Sequence, residues 1–467
     1  MALEEKQLHT PVSTEESPVV DRDKGDIVAQ CEEKFHESSQ FMDKQRQRWR
    51  RNELLYLNEH EQGKVRSVSD IRINLALAAI ETEMPILSDY LPSFDIMPKQ
   101  KNDMEFADQL QARKNEINNE IMLKHVIRDT LHDSLVYSNG IFGLHPVVDN
   151  LTLTTVRPEN VDLFTWFPDP MGTGIGLTQS RYQGFATPMH VDVIRDFYDN
   201  TAVMPEGFID DYRSMTMKQS LDGDSEKSHY ALLKEFYLND ADKIKYPHGR
   251  LVVYAGSTLL DDQPLWDGLP LNPASYQPHI PYFMIGNYKS AHTLFGIGEP
   301  ELIKTIIKAL NETISSIADN VRYSGNPVQR IRSNIWNKIK DKIGFKPGDP
   351  VEVDGAEDVG FIVPPTLPQS TFEFIELLMR LSDVVTGVHD VVQGKRPTGI
   401  TAARAIAQLQ EAAVARVRYK VAHTITRFIV EVGQYVLWIL HTYDNEIRQI
   451  RQRDKLGELQ FIEYNPE

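Results

Sequence analysis

Between Gly298 and Leu440 the chain carries two helical runs separated by a proline- and glycine-rich insert. A second glycine loop then leads into one very long helix. In the first run Ile303, Ile306, Ile307, Leu310, Ile314, Ile317 and Val321 recur in steps of three and four, which lines them along one helical stripe. Pro300 beside Glu299 and Glu301 suits a helix start, where proline loses no hydrogen bond and negative charge meets unpaired N–H groups. Gly325, Asn326 and Pro327 stop the run. From there to Pro368, β-branched pieces (Val351 to Val353, Phe361 to Val363) alternate with turn signals such as Pro347, Gly348 and Pro350, and Pro364 and Pro365. They predict a small module of short strands and turns, with a short amphipathic helix near 335–343.

The second helix is predicted to start after Pro368, with Ser370 as N-cap and Glu373 completing a capping box. Its expected apolar stripe is Phe374, Leu378, Leu381, Val385 and Val388, with Gly387 near its end. A loop from Val391 to Gly399 follows. Thr398 or Thr401 then caps a helix carrying Ile406, Leu409, Ala413, Val417, Val421, Ile425, Phe428, Val432, Val436 and Ile439. Roughly forty residues at 1.5 Å each span about 60 Å, longer than a compact domain needs, and suggest a large assembly.

Upstream the chain reads as an α+β body. A polar, acidic arm leads to a charged helix from Cys31 to about Asn58, in which Lys44, Arg46, Arg48, Arg50 and Arg51 surround Trp49. That cluster reads as a solvated helix face or an intersubunit salt-bridge surface, with phosphate contact as the alternative. An apolar helix from Ile71 to near Pro92, a short strand from Phe94 to Met97 and one long helix from Asp103 to about Tyr137 are expected next. Then come a hairpin around Asp149 and Asn150, a strand at Arg181 to Phe185 and a helix at Pro188 to Tyr198. Residues 199–230 read as an exposed insertion, followed by paired strands at 231–238 and 249–259.

Chemistry is sparse. Gly394 and Lys395 invite comparison with a phosphate-binding loop, but His389 stands where the leading glycine belongs and Arg396 where Ser or Thr would hold magnesium. Neither a His-Glu-x-x-His nor a Gly-x-Ser-x-Gly pattern occurs, and the histidines are scattered. The reading is therefore of a non-enzyme with no cofactor and no metal. A lone cysteine, Cys31, fits a reducing compartment. The most apolar run, Ile425 to Leu440, is broken by Arg427, Glu431 and Gln434, so no membrane partner is expected. A net charge of −17 argues against gripping nucleic acid over the whole surface, yet suits a conduit that lets it pass.

The order of parts resembles the portal proteins of tailed bacteriophages, the head-to-tail connectors. The resemblance rests on Asp133 to Gly140 before a strand, Arg157 to Asn160 with Pro168 to Pro170, Phe295 to Pro300 opening a helix that carries Asn311 and Asn320, and Gly394 to Thr401 with Ala402 to Ala405. It implies an α+β, portal-like fold. The implied parts are a flexible N-terminal arm (1–30), an α/β wing body (31–297), stem helix 1 (298–324), a β-rich clip (325–367), stem helix 2 (368–389), a tunnel loop (390–400), a long wing helix (401–445) and a C-terminal strand region or short crown (446–467).

The resemblance further implies a ring of twelve at one capsid vertex of the virion, assembled in the host cytoplasm. Double-stranded DNA would pass through it without sequence specificity during packaging, retention and ejection. The expected partners are the terminase large subunit, head-completion or tail adaptor proteins and the major capsid protein. Gln393, Gly394, Lys395, Arg396 and Thr398 are expected to face the DNA, or alternatively to meet a neighbouring subunit's carboxylates. Arg330, Arg332, Trp336, Lys338, Lys340 and Lys342 are expected either to bind the motor or adaptor or to pack between subunits. The competing reading is a non-portal structural or scaffold ring of a virus or secretion system.

Overall fold

The computed structural model describes residues 22–59, 69–89, 91, 93–149, 152–172, 177, 180–205, 229–239, 244–266, 280–290, 293–325, 327–331, 359–362, 365–387, 415–453 and 459–465. Helices α1 (Arg22–Tyr56), α2 (Leu75–Asp89), α3 (Met104–Glu120) and α4 (Leu123–Tyr137) precede strands β1 (Asn139–Asp149), β2 (Thr152–Val161), β3 (Trp166–Pro168) and β4 (Tyr182–His190). Helix α5 (Val191–Tyr198) and strands β5 (Tyr230–Leu238), β6 (Arg250–Ala255), β7 (Thr258–Pro264) and β8 (Tyr282–Gly286) follow. The chain then forms α6 (Glu299–Gly325), β9 (Val328–Ile331), β10 (Val359–Ile362) and α7 (Gln369–Thr386). It ends with α8 (Ala415–Lys420), a π turn at Val421–Ile425, α9 (Thr426–Tyr443), β11 (Arg448–Arg453) and β12 (Leu459–Tyr464).

This is an α+β fold whose strands are antiparallel throughout the described residues. One sheet runs β2-β1-β8 and a larger one β3-β4-β5-β6-β7. The main core forms where the first sheet meets α4 and α9. Phe142, Leu144 and Phe283 from the sheet lie with Leu131 and Leu135 of α4 and with Phe428, Val432 and Tyr435 of α9. Each such side chain, fully buried, contributes about 1.5–3 kcal/mol. On the five-stranded sheet, α1 buries Cys31 and Phe35 against Phe167, Tyr182, Phe236 and Tyr254.

Several expectations change here. Helix α1 already begins at Arg22, so residues 22–30 of the expected arm are helical, with Ile27 and Val28 buried. The helix expected over 103–137 breaks at Met122, whose φ of 49° closes α3 and opens α4. Pro188 falls inside β4 rather than at a helix start: β3 pairs only with Gln183 to Phe185, so at Pro188 that side of β4 is an edge and needs no N–H donor. Phe94 to Met97 forms no strand, and Ile71 to Asn74 lies ahead of α2 rather than within it. Ser370 is not the N-cap; that position falls two residues earlier, on Pro368. Gly387 does end α7, taking φ of 77° with its N–H on the Asp383 carbonyl.

Candidate functional site

The structure brings three of the separated sequence signatures into one junction at the base of α6. Asn139 Oδ1 accepts from the Gly296 N–H at 3.0 Å, and the Asn287 N–H donates to the Ser138 carbonyl at 2.9 Å. Here glycine is required by space. A Cβ on Gly298 would lie 2.6 Å from the Val136 carbonyl oxygen, and one on Gly140 would lie 2.0 Å from that of Thr130. Thr130 Oγ1 donates to Asn160 Oδ1 at 2.9 Å, while Asn160 Nδ2 donates to Asp133 at 2.7 Å, so the Arg157 to Asn160 stretch joins the same network.

Glu299, the first residue of α6, is fully buried and meets Lys420 at the C-terminal end of α8. Lys420 Nζ also reaches Glu83 of α2 at 2.6 Å and lies 4.2 Å from the Tyr288 ring centre. Three elements distant in sequence are thus held by one cation between two buried carboxylates. Burial, only partly offset by Lys420 and reinforced by Glu299, pushes the Glu83 carboxyl up to about 7. For Lys420, burial pulls the ammonium down, but the two carboxylates outweigh it and hold it above the ordinary lysine value. Lys420 directly precedes the π turn, whose wider backbone spacing re-aims the helix before α9 enters the core.

Along α6 the buried side chains are Ile303, Ile307 and Leu310, then Asn311, Ser315 and Asp319. The second half of the expected apolar stripe is therefore polar. Its role is plain from the hydrogen bonds: Asn311 Oδ1 accepts from the Ile73 N–H at 2.9 Å, Ser315 Oγ from Ile71 at 3.1 Å and Asp319 Oδ1 from Ser69 at 2.8 Å. Four helical residues rise about 6 Å and two extended residues about 6.6 Å, so an i, i+4, i+8 row matches alternate N–H groups of an extended segment. The apolar periodicity of the sequence gave no sign of it; the four-residue spacing of small polar residues was the available signal.

Helices α6 and α7 pack antiparallel. Val385 near the end of α7 joins Ile303 and Ile307 at the start of α6, while Asn320 near the other end donates to the Pro365 carbonyl at 3.1 Å. Between them β9 pairs with β10 from Val328↔Ile362 to Ile331↔Val359. Only Leu378, Ser382 and Thr386 of α7 are buried. Phe374, Leu377, Leu381 and Val384 are 42–58% exposed and follow a 3-4-3 spacing, which makes a second apolar stripe facing away from α6. Phe374 and Leu381 belong to the apolar stripe expected from the sequence, of which Leu378 is buried.

Of the predicted site residues, Arg330 lies on β9 opposite Gly360. Arg332, Trp336, Lys338, Lys340 and Lys342 lie outside the described residues, as do Gln393, Gly394, Lys395, Arg396 and Thr398. The basic cluster on α1 divides: Lys44 and Arg51 are exposed, Arg48 and Arg50 half-buried, and Arg46 and Trp49 turned inward. Trp49 is fully buried, Arg46 stacks 4.3 Å from the Phe167 ring centre, and Arg48 pairs with Glu301 of α6 at 2.6 Å. Among the described residues no group of three or more His, Cys, Asp or Glu is placed to hold a metal ion, and no helix is long and apolar enough to cross a membrane.

A comparison with curated proteins finds no match. A family model described as "Phage SU10 portal protein" matches residues 192–466, more than half of the chain and the whole α6-to-β12 region. The chain therefore belongs to the phage portal protein family.

Proposed function

We propose that the chain closes with identical copies, twelve in number, into a ring at one capsid vertex. Duplex DNA passes through this ring during packaging and ejection and is retained by it in between. In this reading α6 and α7 are the stem, β9 and β10 the base of the clip, and 390–400 the loop that Lys395 and Arg396 carry toward the channel. The clip offers the docking surface for terminase and for the adaptors that replace it, and the wing meets the major capsid protein.

The observation that carries this reading is the outward stripe of α7. Four large apolar side chains at coiled-coil spacing, on a helix whose other face already packs on α6, keep 42–58% of their surface exposed. Half-burying each against a neighbouring subunit contributes about 1 kcal/mol per side chain, repeated at every interface of a closed ring. DNA contacts in such a channel would be to phosphates and therefore blind to sequence. The test is Leu377→Asp with Leu381→Asp. Both positions are solvent-facing in the single chain, so the variant is expected to keep its circular dichroism spectrum and lose its assembled form by mass photometry. An unchanged oligomer would reject the stem assignment.

A further inference from the structure

A cavity of about 750 Å³ opens between α3, the start of α4, α9 and β11, within the ~300–1,000 Å³ usual for ligand sites. Its floor is apolar: Phe94, Leu123, Ile127, Ile429 and Val432. Phe94 can lie flat there because α9 carries Gly433, where a Cβ would sit 2.8 Å from the ring. Its wall is cationic. Lys114, Lys124 and Arg451 line it, and the one carboxylate among them, Glu116, is already paired with Arg113 at 2.7 Å.

In a chain of net charge −17 this local balance stands out. Lys114 is 2% exposed, with its ammonium on the Phe94 carbonyl and 4.5 Å from the Phe94 ring centre; burial lowers its pKa. Lys124 and Arg451 form no ion pair among the described residues. A segment suited to this cavity has two attributes, apolar side chains for the floor and carboxylates for the wall. A polypeptide segment has both. Duplex DNA has phosphates but no apolar side chains to cover five hydrophobic floor residues.

We propose that this cavity seats the chain's own acidic N-terminal segment, residues 1–21, from the same or a neighbouring copy. That segment holds Glu4, Glu5, Glu15, Glu16 and Asp21 against one lysine, Lys6, and it places Leu3 and Val20 directly beside acidic residues. Twenty-one residues ahead of Arg22 allow a reach of up to about 70 Å, enough for either source.

The test uses the full-length chain with the photo-crosslinking residue p-benzoylphenylalanine at Leu8 and, separately, at Val19, with products mapped by mass spectrometry. Crosslinks should fall in 91–127 and 429–451. The double substitution Lys124→Glu with Arg451→Glu, at two exposed rim positions, should cut their yield at least tenfold. Adding Glu4→Lys, Glu5→Lys, Glu15→Lys and Glu16→Lys to that variant should restore the yield. Mixed light- and heavy-isotope chains separate capture within a copy from capture between copies. Crosslinks confined to other regions, or a yield indifferent to charge reversal, would overturn the proposal. So would duplex DNA binding that the rim substitutions abolish while the crosslinks persist.

Discussion

Replacing Lys420 by Met keeps the length of the side chain and strips the charge that holds Glu83 and Glu299 together. Side-chain exposures of 5%, 4% and 0% for Lys420, Glu83 and Glu299 leave almost no water to take over. Glu299 Oε2 already lacks a hydrogen-bond partner. Removing one member of a buried ion cluster costs about 3–5 kcal/mol, because the remaining charges are stranded. At about 1.4 kcal/mol per factor of ten, amide exchange at 299–310 and 421–430 should quicken roughly 10²- to 10³-fold relative to the unaltered chain at pH 8.

The pH dependence has a definite sign. A carboxyl whose pKa is raised on folding, as Glu83's is to about 7, binds its proton more tightly in the native state. Its contribution is most favourable below the ordinary carboxylate range and is lost as pH rises toward 7. Without Lys420 the Glu83 carboxyl has a stronger reason to protonate, so the variant's deficit should shrink at pH 5 and reach its full size at pH 8. Hydrogen exchange followed by mass spectrometry at both pH values measures the ratio. The triple variant Glu83→Leu, Glu299→Leu, Lys420→Met should recover most of the protection. A ratio below fivefold at pH 8, or one equal at pH 5 and pH 8, would refute the reasoning.

Gly140→Ala would force a Cβ to within 2.0 Å of the Thr130 carbonyl, so backbone has to move; a loss of about 1–3 kcal/mol or more is expected from urea denaturation. Wild-type stability would show that the junction is looser than described. If the 390–400 loop meets DNA, Lys395→Ala with Arg396→Ala should lower packaged DNA length or retention in particles while leaving portal assembly unchanged. Normal packaged length and yield would remove that role.

What the sequence disclosed was mainly what periodicity encodes. The lower core of the last helix is an apolar repeat, and Ile425, Phe428, Val432, Val436 and Ile439 are all buried as that repeat requires. The antiparallel pairing of β1 with β2 followed from turn residues. Contacts between elements distant in sequence stayed hidden. Arg48 is 253 residues from Glu301, and the Glu83–Lys420 pair spans 337, so neither local composition nor spacing points to the partner. Hence Arg48, in a cluster that reads as a solvated or intersubunit face, pairs with α6 of its own chain, while Lys44 and Arg51 stay exposed. Asn311, Ser315 and Asp319 interrupt an otherwise apolar face for the sake of an extended segment about 240 residues earlier. On α7, both faces carry large apolar residues, and a repeat alone does not say which face the chain covers itself.

The proposed assembly is tested most directly by end-on electron microscopy of the purified full-length chain. The account predicts an annular particle with a central hole and rotational symmetry of order twelve, with α6 and α7 lining the stem around that hole. A monodisperse particle the size of one chain, or an assembly whose α6 and α7 lie away from the shared axis, would contradict it.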